Sequence, residues 1–222
     1  MKKITAIEAQ KKNPNRVNIH LDGEFSFGLS HIVAAWLQTG QMISDEKIAR
    51  LIDEDAREVA MQKALHFLSF RARSSSEVKA FLGRHEISEA VIEFTLQRLQ
   101  ETNLLNDQEF ARNWVENRNT FRPRSRRFLA FELHRKGLQD DVIEHALREG
   151  VDESALALEA ARKYERKLRG LDWQDFRQKL AGFLGRRGFS YEISAQVVRI
   201  LWNELHSEAE RTINDEFDDE EI

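Results

Sequence analysis

Apolar and polar positions alternate over the first thirty residues, as is typical of β-strands. Ile4 begins one run, Val17–Leu21 forms a second and Phe25–Leu29 a third. Between the last two, Asp22-Gly23 suits a two-residue hairpin, because both central positions of that turn take a positive φ. The pattern therefore predicts a small three-stranded antiparallel β-meander.

From residue 30 onwards the apolar positions recur at helical spacing. The spacing predicts a short helix that is capped by Ser30, carries Trp36 and Leu37 and ends near Thr39-Gly40, and a long helix from Ser44 to Phe70. The long helix would span about 40 Å if unbroken. The chain has only two prolines, which favours long helices over a β-sandwich or barrel.

A repeat with a period of 51 residues runs through the rest of the chain. It aligns Leu82, Leu133 and Leu184, and the flanking positions correspond without gaps. Each copy has the signals of three helices, such as the capping-box residues Ser74–Glu77 and the helix-ending glycines Gly137 and Gly188. The predicted fold is mainly α, with three tandem three-helix repeats in an elongated curved array after the N-terminal β-meander.

This organisation predicts five segments. They are the meander and short helix (residues 1–43), a first three-helix unit with a long lead-in helix (44–106), a basic second unit (107–152), a third unit (153–206) and an acidic tail (207–222). The tail has eight acidic residues and one arginine in a chain of net charge −4, so the remainder is mildly basic. We expect the tail to be disordered, since it offers little apolar surface to bury.

Composition argues against several classes of function. The chain has no cysteine, its seven histidines are scattered without metal-ligand spacing, and no carboxylate pair is placed for acid–base chemistry. No stretch approaches the roughly 20 apolar residues that a membrane span needs. We therefore expect a cytoplasmic monomer that is not an enzyme and has no metal, no cofactor and no membrane partner.

Residues 118–137 concentrate positive charge in this acidic chain. Arginines crowd around Pro123 with almost no acids nearby, which favours a binding surface over a solvated helix face, because guanidinium groups suit bidentate contacts to phosphate or carboxylate. The candidate contact residues are Arg118, Arg122, Arg124, Arg126, Arg127, Arg135 and Lys136. Four further arginines, which nearby acids such as Glu77 and Asp175 could neutralise, are secondary candidates: Arg71, Arg73, Arg186 and Arg187.

The aromatic residues have two expected roles. Phe67, Trp114 and Tyr164 stand at equivalent places in the repeat on the apolar face, which predicts core packing rather than base stacking. Phe121, beside the arginines, is the better candidate for an exposed contact. Leu129 and Leu133 are expected to face the core.

Several strings within residues 55–205 resemble the RecX regulatory proteins. They are Leu68–Ser74 with Glu77 and Leu82, Asn106–Ala111 continuing through Trp114-Val115 to Arg118, and Glu132–Leu138. One departure is the loop Phe121-Arg122-Pro123-Arg124, where the family pattern has a glycine. The acidic tail is a second departure.

The resemblance implies a regulator that binds RecA recombinase filaments on DNA, lies in the filament groove and suppresses ATP hydrolysis, strand exchange and the SOS response. It also implies sequence-independent binding of single- or double-stranded DNA. The arginines suit DNA phosphates and RecA carboxylates equally. The alternatives are a DNA-binding helical module that acts through phosphates without RecA, and a purely structural scaffold.

Overall fold

The computed structural model describes residues 1–150 and 152–218, with side chains described for 1–148 and 152–206. This part of the chain is mostly helical and divides into two compact units at Asn106/Asp107. The first unit holds a small antiparallel sheet and one three-helix domain, and the second unit holds two three-helix domains. A helical fold of three three-helix domains with an N-terminal sheet is confirmed.

The N-terminal sheet has four antiparallel strands in the order β3-β2-β1-β4. Strands β1 (Lys2–Gln10), β2 (Asn13–Leu21) and β3 (Glu24–Ser30) form the predicted meander. Asp22 and Gly23 take φ of 52° and 96°, as the predicted hairpin requires. The fourth strand, β4 (Met42–Ile43), pairs with the start of β1. The sequence pattern missed it because two residues offer no alternation to detect.

The helix after the sheet is shorter than predicted. Helix α1 covers only His31–Ala34, and the next turns are closed by hydrogen bonds from the backbone N–H groups of Ala35 and Leu37 to carbonyls three residues earlier. The prediction that Trp36 belongs to the helix is therefore wrong, and its side chain is 90% exposed.

The long helix α2 (Asp45–Ser69) is unbroken, as predicted, and its 25 residues extend about 37 Å. Its buried Asp55 accepts a hydrogen bond from Arg16 Nη2 of β2 at 2.8 Å and another from the backbone N–H of Ser30. A buried carboxylate is tolerated when it is paired and hydrogen-bonded. This contact therefore fixes the sheet to α2.

The end of α2 forms the first three-helix domain with α3 (Ser75–Gly83) and α4 (Glu89–Glu101). Its core includes the buried residues Ala64, Val78, Leu82, Ile92 and Leu99. The predicted capping box is confirmed, since Ser74 Oγ accepts from the Glu77 N–H and the Glu77 carboxylate accepts from the Ser74 N–H. The backbone N–H groups of Ser74 and Glu77 are thereby both hydrogen-bonded.

Removing the Ser74 hydroxyl should lower the free energy of unfolding by about 1 kcal/mol, the usual cost of losing an N-cap side chain. Ser88→Ala is the matched control, because Ser88 caps α4 without a side-chain hydrogen bond. In urea unfolding we expect a lower midpoint for S74A than for S88A. Equal midpoints would show that the capping box contributes nothing to stability.

The second unit contains six helices in the described ranges. The second domain comprises α5 (Asp107–Phe121), α6 (Arg126–Arg135) and α7 (Asp140–Gly150). The third comprises α8 (Glu153–Tyr164) with a 3-10 turn at Glu165–Lys167, α9 (Trp173–Arg186) and α10 (Tyr191–Asp218). The last helices of the three domains begin at Glu89, Asp140 and Tyr191, so the 51-residue period is preserved in the structure.

Two predictions about the middle helices are confirmed. Leu129 and Leu133 are fully buried in the core of the second domain. Gly137 and Gly188 take φ of 75° and 89°, as left-handed helix caps require. The predicted acidic tail overlaps α10, because this helix continues to Asp218 and so includes residues 207–218, whose side chains are not described. Residues 219–222 lie outside the described residues, and disorder there stays a prediction.

Candidate functional site

The pattern arginine-x-arginine-serine occurs in two loops, each directly before the middle helix of a domain. Arg71–Ser74 precedes α3 and Arg122–Ser125 precedes α6. Both serines are buried, and each Oγ accepts a hydrogen bond from the backbone N–H three residues later. These caps place the two arginine pairs at equivalent positions in their domains.

In the first domain, side chains of the protein itself pair with or stack on these arginines. Arg71 Nη2 lies 2.9 Å from Glu77 Oε1, which confirms the neutralising partner suggested by the sequence. Arg73 stacks on Phe67, with its Cζ 4.0 Å from the ring centroid. Burial lowers the pKa of Arg73, the positive charge of Arg71 lowers it further, and Glu77 opposes the shift. This pair is a weaker candidate for an external anion.

In the second domain the neutralising acid is replaced by an aromatic ring. Phe128 stands 51 residues after Glu77, and Arg124 stacks on it with its Cζ 4.3 Å from the ring centroid. Arg122 and Arg127 are exposed, and neither forms an ion pair with any side chain in the described part of the molecule. The second domain therefore presents positive charge that the first domain balances internally.

The third domain adds two arginines to this loop. Arg187 Nη1 donates to the Pro123 carbonyl at 3.0 Å, and Arg124 Nη1 lies 3.4 Å from the Arg186 carbonyl. The backbone N–H of Ser125 donates to the Arg187 carbonyl at 3.2 Å. We call the resulting set the arginine cluster: Arg122, Arg124, Arg186 and Arg187. The structure thus joins two secondary candidates to two primary ones.

The arginine cluster is electrostatically crowded. Burial lowers the pKa of Arg187, and the positive charges of Arg124 and Arg122 lower it further. The buried Nε of Arg124 has no hydrogen-bond partner within the described residues. An external phosphate or carboxylate would relieve the repulsion and supply acceptors in the geometry that guanidinium groups favour.

The turn between α9 and α10 packs tightly against this loop. A Cβ added at Gly188 would lie 2.5 Å from Ser125 Oγ and 3.0 Å from Phe128 Cβ. The close approach depends on a glycine at this position, so Gly188 both ends α9 and allows the third domain to pack against the loop Arg122–Ser125.

Three predicted contact residues make hydrogen bonds or ring contacts within the protein. Arg118 Nε lies 2.8 Å from Glu132 Oε2, and its guanidinium stacks on Trp114 at 4.3 Å. Lys136 Nζ lies 5.2 Å from the centroid of the same ring. Arg126 Nη2 donates to the Leu147 carbonyl at 3.1 Å. These side chains help to build the second domain, whereas Arg122 and Arg127 have more freedom to meet a partner.

Two exposed aromatic rings lie beside basic residues of the second domain. Phe121 is 70% exposed, which confirms its expected exposure, and Phe131 is 56% exposed beside the exposed Arg135. Phe67 and Tyr164 pack against their domain cores, and Trp114 does so in the second domain. The core role predicted for these three aromatics is confirmed.

The described residues contain neither a candidate metal centre nor a membrane-spanning helix. No group of three or more potential metal ligands gathers among the described residues. None of the helices in those residues combines the length and apolar character needed to cross a membrane.

Comparison with protein-family models gives four consecutive matches. They are the "Regulatory protein RecX N-terminal domain" at residues 2–44 and the first, second and third RecX three-helix domains at 60–99, 106–147 and 152–198. The chain belongs to the RecX family. A "Regulatory protein RecX" from Bacillus pumilus (strain SAFR-032) is 32% identical over 211 residues, which cover 93% of this chain and 80% of that relative.

Two further RecX proteins extend the comparison. "Regulatory protein RecX" from Bacillus subtilis (strain 168) is 34% identical over 194 residues, covering 86% of this chain and 74% of the relative. A crystal structure of a regulatory protein RecX aligns with a TM-score of 0.67 at 27% identity, covering 89% of this chain and 98% of that one. A regulatory role of the RecX type follows from this membership.

Within the second RecX domain, sequence reasoning missed the role of Glu132. Its carboxylate accepts from Trp114 Nε1 at 2.9 Å as well as from Arg118. The repeat contained a signal for it, because the equivalent positions 81 and 183 hold phenylalanines that stack on Phe67 and Tyr164. An acid in place of an aromatic indicates a polar partner nearby, and Arg118 and Trp114 supply it.

Proposed function

We propose that this protein binds RecA recombinase filaments on DNA and restrains RecA's ATP hydrolysis, strand exchange and the SOS response, without catalysis of its own. Membership of the RecX family supports the regulatory class. The observation that carries the proposal is the arginine cluster, where Arg122 is exposed and lacks the acid that balances Arg71 in the first domain.

A nucleoprotein filament suits this surface because it offers both anions that guanidinium groups recognise. DNA supplies a row of phosphates, and RecA would supply carboxylates beside them. Phe121 and Phe131 add exposed aromatic area next to the charges, as in many protein interfaces. A monomer acting on such a filament would work in the cytoplasm and would need no cofactor.

The direct test is RecA-dependent ATP hydrolysis on single-stranded DNA, measured with increasing amounts of the protein. We expect inhibition well below one protein per RecA, because a filament regulator acts on many protomers at once. An unchanged hydrolysis rate at equimolar protein would refute the proposal.

Binding of DNA without RecA is the second candidate function. It is favoured by the exposed guanidinium groups of Arg122 and Arg127, which can contact phosphates of any sequence. On this alternative, the logarithm of the DNA affinity would fall steeply with the logarithm of salt concentration, and inhibition of RecA would be lost in parallel. Inhibition that persists at salt concentrations where free DNA is released would favour the filament.

A further inference from the structure

A groove of about 510 Å³ lies between α9 and α10 in the third domain. Trp173 and Arg177 line it from α9, and Tyr191, Ser194 and Arg199 line it from α10. Its volume falls in the range of about 300–1,000 Å³ that is usual for small-molecule sites. The groove shares no residue with the arginine cluster and has no part in the function proposed above.

A buried hydroxyl group lies in the wall of this groove. Ser194 is 3% exposed, and its Oγ has no hydrogen-bond partner in the described part of the chain. The equivalent residues of the first two domains, Ile92 and Ile143, are also buried and belong to the domain cores. A buried hydroxyl without a partner is destabilising, so core packing does not explain the serine. A ligand in the groove would supply the missing partner.

An exposed aromatic ring stands beside this hydroxyl. Tyr191 precedes Ser194 by three residues on α10, so the two residues share one face of the helix. The equivalent helices begin with Glu89 and Asp140, and acids are favoured at a helix N-terminus. The Tyr191 side chain is 85% exposed, so it gains little from burial. Its ring is therefore available to stack on a planar ligand.

Two guanidinium groups lie about two helical turns further along the groove. In the second domain, Arg126 donates to the Leu147 carbonyl of α7. The 51-residue spacing relates this pair to Arg177 and Val198, which places Arg177 close to Arg199. Both arginines are exposed, and neither forms an ion pair among the described residues. The groove thus has an aromatic ring at one end and two cations about 12 Å further along α10.

Acidic residues accompany the aromatic residues at both ends of the groove. Glu192 follows Tyr191 directly. Asp172 and Asp175 stand on either side of Trp173 in the sequence, and all three acids are exposed. These carboxylates would repel the phosphates of a strand that continued past either end, and such repulsion selects against the wrong ligand. The groove therefore suits one compact anion rather than a polymer.

We propose that this groove binds a free nucleoside polyphosphate. The base stacks on Tyr191 and meets the Ser194 hydroxyl, and the phosphates meet Arg177 and Arg199. Stacking on an aromatic ring tolerates any base, and guanidinium groups match the geometry of phosphate oxygens. A simple polyanion suits the groove less well, because it would leave the Tyr191 ring and the Ser194 hydroxyl without partners.

The test measures the affinity of the full-length protein for ATP, adenosine and inorganic triphosphate by calorimetric titration in the absence of RecA. We expect saturable binding of ATP and weaker binding of the other two, because adenosine lacks the phosphates and triphosphate lacks the base. Tyr191→Ala should weaken ATP binding by about 5- to 150-fold, the range of one lost base stack, and leave triphosphate binding unchanged. Trp36→Ala is the matched control, because Trp36 is an exposed aromatic in the other unit.

A second variant separates binding from folding. Ser194→Ile introduces the residue of the other two domains, so it should fill part of the groove, weaken ATP binding similarly and leave the urea midpoint unchanged or higher. Absence of saturable ATP binding, equal affinity for ATP and triphosphate, or wild-type ATP affinity in both Y191A and S194I would overturn the proposal. So would Tyr191-dependent binding of an oligothymidylate that ATP does not displace, because the groove would then hold a strand. Since RecA is absent, none of these outcomes depends on the filament proposal.

Discussion

Reversing Arg122 and Arg127 to glutamate should raise the protein concentration needed to halve RecA-dependent ATP hydrolysis by at least about tenfold. Both residues are exposed, and neither forms an ion pair with the described side chains. Each reversal removes an attraction to phosphate or carboxylate and adds a repulsion, and a loss of about 1.4 kcal/mol in total suffices for a tenfold change. The measurement is a titration of the ATPase rate with wild-type and variant protein.

The double variant K11E/K12E is the matched control. Lys11 and Lys12 are exposed in the turn between β1 and β2. Their reversal changes the net charge of the protein by the same amount as R122E/R127E, but at residues distant in sequence from the arginine cluster. We expect this control to inhibit like the wild type. Equal inhibition by R122E/R127E and the wild type would contradict the assignment of the partner surface. Equal losses in the two variants would show that net charge, rather than this surface, determines inhibition.

The choice of Arg122 and Arg127 follows from the contacts of their neighbours. Reversing Arg124 would disturb its stacking on Phe128, and reversing Arg126 would remove its bond to the Leu147 carbonyl. Such variants would combine a folding defect with a binding defect. Exposed residues without these contacts give a cleaner test of the surface.

Replacing Gly188 with alanine should lower the free energy of unfolding by about 2–5 kcal/mol. The residue has φ of 89°, which costs an L-residue about 1–2 kcal/mol, and the new Cβ would lie 2.5 Å from Ser125 Oγ. Overpacking of this kind typically adds about 1–3 kcal/mol. We expect a lower midpoint in urea unfolding, accompanied by weaker RecA inhibition because the loop that carries Arg122 and Arg124 must move.

Gly170→Ala is the matched control for this substitution. Gly170 has φ of 75°, but no atom lies within 4 Å of an added Cβ. It therefore reports the cost of the backbone conformation without the clash, about 1–2 kcal/mol. Equal destabilisation by G188A and G170A would show that the third domain does not pack on Ser125 as described.

Local rules explain why much of the fold was predictable from sequence. The capping box at Ser74 and the left-handed caps at Gly137 and Gly188 each depend on residues within a few positions of one another. The repeat placed Leu129 and Leu133 in the core, because its apolar positions recur in each domain. Strand β4 has two residues and α1 has four, and elements this short do not show a detectable apolar pattern.

The candidate site was less predictable because its contacts join distant residues. Arg187 meets the Pro123 carbonyl across 64 positions, and Arg126 meets the Leu147 carbonyl across 21. A backbone carbonyl is present at every residue, so a bond to one has no signature in sequence. The pairing of Arg118 with Glu132 was open to detection, but only by comparing position 132 with its aromatic equivalents in the other domains.

The most direct measurement is the binding of fluorescent protein to RecA filaments on single-stranded DNA and to the same DNA alone, at near-physiological salt. We predict saturable binding to the filament, weakened by R122E/R127E, under conditions where binding to free DNA is lost because counterion release no longer favours it. Equal affinity for the filament and the free DNA, or no affinity for the filament, would contradict the central claim that this protein regulates RecA by binding its filament.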